Sequence, residues 1–130
     1  MTGWCAASPA IDRAPSAALS ARLAATLGRL NPGGAPLGLA VSGGGDSMAL
    51  LLLAHAAIPG RFAVATVDHG LRAEAAGECA LVEAACAARG IGCTILRVTV
   101  PGGNLQHQAR AARYAALGRW ADAGGLAAIA

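Results

Sequence analysis

The stretch LGLAVSGGGDSMALLLL, residues 37–53, constrains the fold more than any other part of the chain. Its apolar residues 37–41 predict a strand, residues 42–45 a small and flexible turn, and Asp46 or Ser47 the opening of an apolar helix. A strand that delivers a glycine-rich turn to a helix N-terminus makes an anion site. The N–H groups of the turn and of the first helical residues converge, and the helix dipole adds roughly half a positive charge. Gly43, Gly44 and Gly45 let the backbone take positive φ and approach a phosphate without Cβ collisions. Ser42 and Ser47 bracket the turn with hydroxyls that donate to phosphate oxygens. A bare anion site gains nothing from a carboxylate, so Asp46 points to Mg²⁺ held against a nucleotide triphosphate.

The rest of the chain alternates between helix and strand. Leu19, Leu23, Leu27 and Leu30 mark one face of a helix over residues 16–30, and Asn31-Pro32-Gly33-Gly34 ends it. Beyond the central stretch, Ile58-Pro59-Gly60-Arg61 predicts a turn, residues 62–67 a buried strand, and residues 73–89 a helix closed by Gly90. Residues 93–99 predict a third strand and 100–103 a loop. Residues 104–123 predict a long helix capped by Asn104, and 126–130 the start of a fourth strand. Helices alternating with short apolar strands predict an α/β fold, a parallel sheet with helices on both faces. Ligands bind such sheets beyond the carboxyl ends of the strands. That edge gathers residues 42–47, 68–72 and 100–104.

Composition narrows the function. All ten basic residues are Arg, which excludes the Walker P-loop and its lysine. A net charge of +3 permits contact with nucleic acid without demonstrating it. Residues 1–15 lack periodicity and a continuous apolar core, so they predict a disordered leader and no signal peptide. The remaining residues, 16–130, form one domain or part of one. No apolar run reaches the roughly twenty residues of a membrane span. Cys79, Cys86 and Cys93 recur every seven residues, two on a helical seam and one in a strand, with no CxxC pair. They are expected as small core residues rather than metal ligands.

Three stretches carry a family resemblance. Ser42-Gly43-Gly44-Gly45-Asp46-Ser47 resembles the SGGxDS PP-loop of the ATP pyrophosphatases. With Val67-Asp68-His69-Gly70-Leu71-Arg72, and with Asn104-Leu105-Gln106 through Arg110 to Arg113-Tyr114, residues 37–130 are similar to the N-terminal PP-loop domain of the tRNA(Ile)-lysidine synthetases. The resemblance implies an adenine nucleotide α-hydrolase-like, Rossmann-like fold and a cytoplasmic carbon–nitrogen ligase. In that reaction ATP adenylates C2 of the anticodon wobble cytidine of tRNA(Ile), and free L-lysine then displaces AMP to give lysidine. The implied cofactors are ATP and Mg²⁺, the partners tRNA(Ile) and L-lysine, and a homodimer is compatible. Ser42, Gly43, Gly44, Gly45, Asp46 and Ser47 would bind ATP, Asp46 would hold the metal, and Asp46, Arg110 and Arg113 would be catalytic. In that family a loop with a His and paired acids follows the fourth strand, so the chain is expected to be a fragment truncated there and inactive by itself.

Reach along the last helix favours Arg110, about 9 Å from the helix start, over Arg113 one turn farther. Asp68 and His69 either line the pocket or cap their loop, and Arg72 either touches RNA or caps the next helix. His55, His107, Trp120 and Tyr114 are expected to serve packing. Rival functions are another PP-loop tRNA-modifying enzyme, which would need cysteines in loops, and a non-catalytic ATP-binding module. A serine hydrolase would use Ala40-Val41-Ser42-Gly43-Gly44 as its elbow but has no acid and His in suitable late loops. A dinucleotide-binding unit is disfavoured by Met48, where a small residue is needed.

Overall fold

Helix α1 (Ala17–Leu30) opens on Ser16, whose hydroxyl accepts from the Leu19 N–H at 3.1 Å. This helix begins a computed structural model that describes residues 16–68, 70, 73–99 and 105–130. The leader expected at residues 1–15 lies outside the described residues, as do His69, Leu71, Arg72 and Asn104. Only the middle of the leucine stripe of α1 is covered. Leu27 packs on the core, whereas Leu19 and Leu30 are exposed.

After α1 come β1 (Leu37–Ala40), α2 (Gly45–Ala57), β2 (Phe62–Asp68), α3 (Ala73–Ala87), β3 (Cys93–Arg97) and α4 (Leu105–Gly124). The three strands form one parallel sheet in the order β1-β2-β3, with Leu37 opposite Phe62 and Val64 opposite Cys93. Leu37, Leu39 and Val41 alternate onto one face. There they meet Met48, Leu51 and Ala54 of α2 and Val82, Ala85 and Cys86 of α3 in one buried cluster. The opposite face of β1 takes α4. A Cβ at Gly38 would stand 2.7 Å from the Trp120 ring, so only glycine lets the indole lie this close to the strand.

Residues 128–130 return to the other edge of β1. Ile129 bridges Gly38 in parallel sense, and Gly38 N–H donates to the Ala128 carbonyl at 2.8 Å. Ala40 N–H reaches the Ala130 carbonyl at 2.9 Å. The fourth strand expected over 126–130 is thus a single bridge, flanked by Ala127 N–H donating to the Pro36 carbonyl just ahead of β1. Its position matters more than its length. β1 has β2 on one side and residues 128–130 on the other, so the direction of winding reverses at β1. Open α/β sheets form their ligand crevice at the carboxyl end of such a strand.

Candidate functional site

The turn between β1 and α2 stands at that crevice. β1 ends with the Val41 N–H donating to the Ala65 carbonyl at 2.9 Å, which ties the start of the turn to β2. Gly43 takes φ +87° and lies against α3, where a Cβ would stand 3.2 Å from the Glu78 carbonyl oxygen. Backbone conformation and neighbour both require glycine there. Gly44 is the N-cap of α2 and makes no side-chain cap hydrogen bond. The first intrahelical bond is Met48 N–H to the Gly44 carbonyl, at 2.9 Å. The N–H groups of Gly45, Asp46 and Ser47 therefore precede the helical ladder and have no intrahelical acceptor.

Hydroxyls line the same turn. Ser42 Oγ donates to Ser47 Oγ at 3.1 Å, closing a short bridge across it. Ser42, Gly44, Gly45 and Asp46 are exposed, and Gly43 and Ser47 half-buried. The sequence-derived ATP set is thus gathered in one turn, open on the side away from α3. Asp46 in the first helical turn is the one carboxylate of that turn.

Beside it lies a cavity of about 190 Å³ between the carboxyl ends of β1 and β2, α3 and α4. Ser42, Thr66, Glu78, Cys79 and Arg113 supply its polar and sulfur-bearing wall. Thr66 is buried, and its hydroxyl pairs with Cys79 Sγ at 3.6 Å. The cavity is smaller than the roughly 300–1,000 Å³ of a site enclosing a whole drug-sized ligand.

The two expected arginines part company. Arg113 is half-buried and lines the cavity, whereas Arg110 is exposed with its guanidinium 5.2 Å from the Tyr114 ring centroid. Arg113 precedes Ala116, Leu117 and Trp120 by three, four and seven residues, and so extends the packed stripe of α4 one turn past them. Tyr114, expected to pack, is 54% exposed; Trp120 packs as expected. Asp68 caps its own loop, its Oδ1 accepting from Gly70 N–H at 2.9 Å. Thr66, Glu78 and Cys79 join the site without any signal in the sequence. They reach it from β2 and α3 with no spacing pattern to announce them.

Cys79 and Cys86 are buried and Cys93 half-buried, all three as free thiols. Burial, reinforced by the neighbouring Cys93, pushes the Cys86 thiol up to about 12. Burial also raises Cys93. Cys86 and Cys93 are thus held as protonated thiols rather than reactive thiolates. Among the described residues no group of three or more His, Cys, Asp or Glu could hold a metal ion, so they offer no all-protein metal cage. A single carboxylate beside a glycine-rich turn with free N–H groups does fit Mg²⁺, which is commonly held by one or two carboxylates plus phosphate oxygens.

A parallel α/β sheet with a glycine-rich turn at its switch strand is an arrangement suited to a phosphate. Residues 17–130 match the family described as the PP-loop domain, and the chain belongs to that family. It is 54% identical over 92 residues to the tRNA(Ile)-lysidine synthase of Novosphingobium aromaticivorans, an alignment covering 70% of this chain and 28% of that protein. The tRNA(Ile)-lysidine synthase of Ruegeria pomeroyi is 51% identical over 90 residues, 65% of this chain and 22% of the relative. That of Bordetella bronchiseptica is 40% identical over 121 residues, 89% and 35% respectively. The chain therefore spans between about a fifth and about a third of these relatives' lengths. No helix among the described residues is long and apolar enough to cross a membrane.

Proposed function

We propose that this chain is the ATP-binding part of a cytoplasmic tRNA(Ile)-lysidine synthetase. It would bind ATP for adenylation of the wobble cytidine at C2, after which L-lysine displaces AMP and leaves lysidine. The observation that carries the reading is the turn from Ser42 to Ser47 at the switch strand, in a PP-loop domain whose named relatives are lysidine synthases.

The chain's residues suit each demand of that chemistry. The N–H groups of Gly45, Asp46 and Ser47 and the hydroxyls of Ser42 and Ser47 would hold the β- and γ-phosphates, which leave as pyrophosphate. Fixed dipoles of this kind stabilise charge as it develops without reorganising. Asp46 would hold Mg²⁺, which when bound neutralises phosphate charge and orients the leaving group. Arg113, which lines the cavity, would steady the α-phosphate or the activated cytidine, with Arg110 outside it.

The test is lysine incorporation. In the full-length protein, transfer of radiolabelled lysine to tRNA(Ile) should require ATP and release AMP and pyrophosphate, and Asp46→Ala should abolish it while the protein stays folded. Near-normal incorporation in that variant would remove Asp46 from the chemistry. ATP binding with no pyrophosphate release under any condition would favour the non-catalytic nucleotide module instead.

A further inference from the structure

Among the described side chains of α4, Tyr114 is the large hydrophobic one left exposed. The buried stripe of this helix runs through Ala116, Leu117 and Ala121, while Tyr114 as a residue stays 54% exposed. The guanidinium carbons of Arg110 and Arg113 lie 5.2 Å and 5.8 Å from its centroid. Both are within cation–π range, and the residue stays more than half exposed beside them. Arg113 also lines the cavity beside the glycine-rich turn, so the ring stands one residue from the candidate site. Along α4 the charge around the ring has one sign. Asp122 is the single acidic residue of this helix, two turns beyond Tyr114, and exposed Arg110 precedes the ring by one turn on the same side.

Burying a ring of this size would ordinarily be favourable, and a contact with another protein surface would want apolar neighbours. The ring's partners here are two cations. An aromatic face set between guanidinium groups suits an unstacked nucleobase: the ring takes the base and the cations take the flanking phosphates.

We propose that Tyr114 is a stacking platform for an unpaired base of an RNA loop, with Arg110 as its phosphate contact and Arg113 joining the platform to the cavity. The proposal rests on the reading of this chain as part of a tRNA-modifying enzyme and names the residues that would meet the RNA. A purely structural Tyr114, holding α4 through its own arginines, would change the melting temperature when replaced and leave RNA affinity alone.

The experiment is fluorescence anisotropy with a labelled RNA hairpin whose loop carries an unpaired cytidine, titrated with the full chain. ATP affinity and melting temperature are measured on the same samples. Tyr114→Ala and Tyr114→Leu are expected to weaken hairpin binding roughly tenfold, with Tyr114→Phe within about twofold of the parent. ATP affinity and melting temperature should hold in all three. Hairpin affinity unchanged in Tyr114→Ala, or Leu serving as well as Phe, would overturn the platform while leaving the ligase reading intact. A parent chain that binds ATP but no hairpin would overturn the platform and count against RNA as the substrate of this domain. Arg110→Ala should flatten the salt dependence of hairpin binding by about one phosphate contact.

Discussion

Gly43 lies so close to α3 that a Cβ on it would stand 3.2 Å from the Glu78 carbonyl oxygen and 3.3 Å from the Glu78 Cβ. Its φ of +87° is also one that L side chains rarely adopt. Gly43→Ala should therefore cost about 1–3 kcal/mol from the backbone alone and pull the turn away from α3. Gly45 is the contrast: a methyl there would have nothing within 4 Å, and its place is the first helical turn. Gly45→Ala should be between neutral and about 1 kcal/mol stabilising. Thermal melts of the two variants, with ATP titrations alongside, separate the demands of the fold from those of the ligand. If Gly45→Ala keeps its stability but loses ATP, the methyl is blocking a phosphate; if both variants bind ATP normally, the phosphates lie elsewhere.

Asp46 is exposed and its loss leaves no buried group unpaired. Its structural contribution is a carboxylate at a helix N-terminus, about 0.3–1 kcal/mol. Asp46→Asn should thus melt within a few degrees of the parent, yet ATP affinity should no longer rise when Mg²⁺ is added. Calorimetric ATP titrations with and without Mg²⁺ give the answer directly. A Mg²⁺ dependence that survives the substitution would assign the ion to other ligands.

Much of this arrangement is legible in the amino-acid sequence alone. The run from Leu37 to Ser47 announces strand, turn and helix because its glycines, serines and apolar residues each allow little else. The heptad-spaced cysteines belong to the core as their pattern implies, since two of them share a helical seam. What a linear pattern lacks is rotation about an axis. Reach along α4 favours Arg110, but reach is only half the geometry. The packing of Trp120 on Gly38 and the burial of Ala116 and Leu117 set the azimuth of the helix, and that azimuth brings Arg113 to the cavity. The same rotation leaves Tyr114 outside. Thr66 and Glu78 meet at the cavity only through the packing of α3 on β2, which no local pattern encodes.

The azimuth carries its own prediction. Arg113→Ala should weaken ATP binding or turnover by tenfold or more, about 1.4 kcal/mol, the scale of one lost charged hydrogen bond. Arg110→Ala should leave ATP affinity within about twofold, since the Arg110 guanidinium lies outside the cavity wall. Parallel titrations of the two variants decide it. A larger loss in the Arg110 variant would mean that the ligand approaches α4 from its exposed side.

The buried thiols make the last prediction, one of sign. Cys86 titrates near 12 in the folded chain, against an ordinary thiol value of 9.0. Between those two values the unfolded chain has lost a proton that the folded chain keeps, so stability must fall as pH rises through that window. The slope contributed by one such group is at most about 1.4 kcal/mol per pH unit. Below pH 9 the contribution is fully present, and stability should be insensitive to this thiol. Urea melts from pH 8 to pH 11 should show the decline, and Cys86→Ala should make it shallower while lowering stability at neutral pH through the lost packing. Thiol reagents should likewise leave Cys86 unmodified at pH 8 until urea opens the core. Rapid native-state labelling of Cys86 would mean that α3 detaches from β3 more readily than the burial of Val82, Ala85 and Cys86 allows.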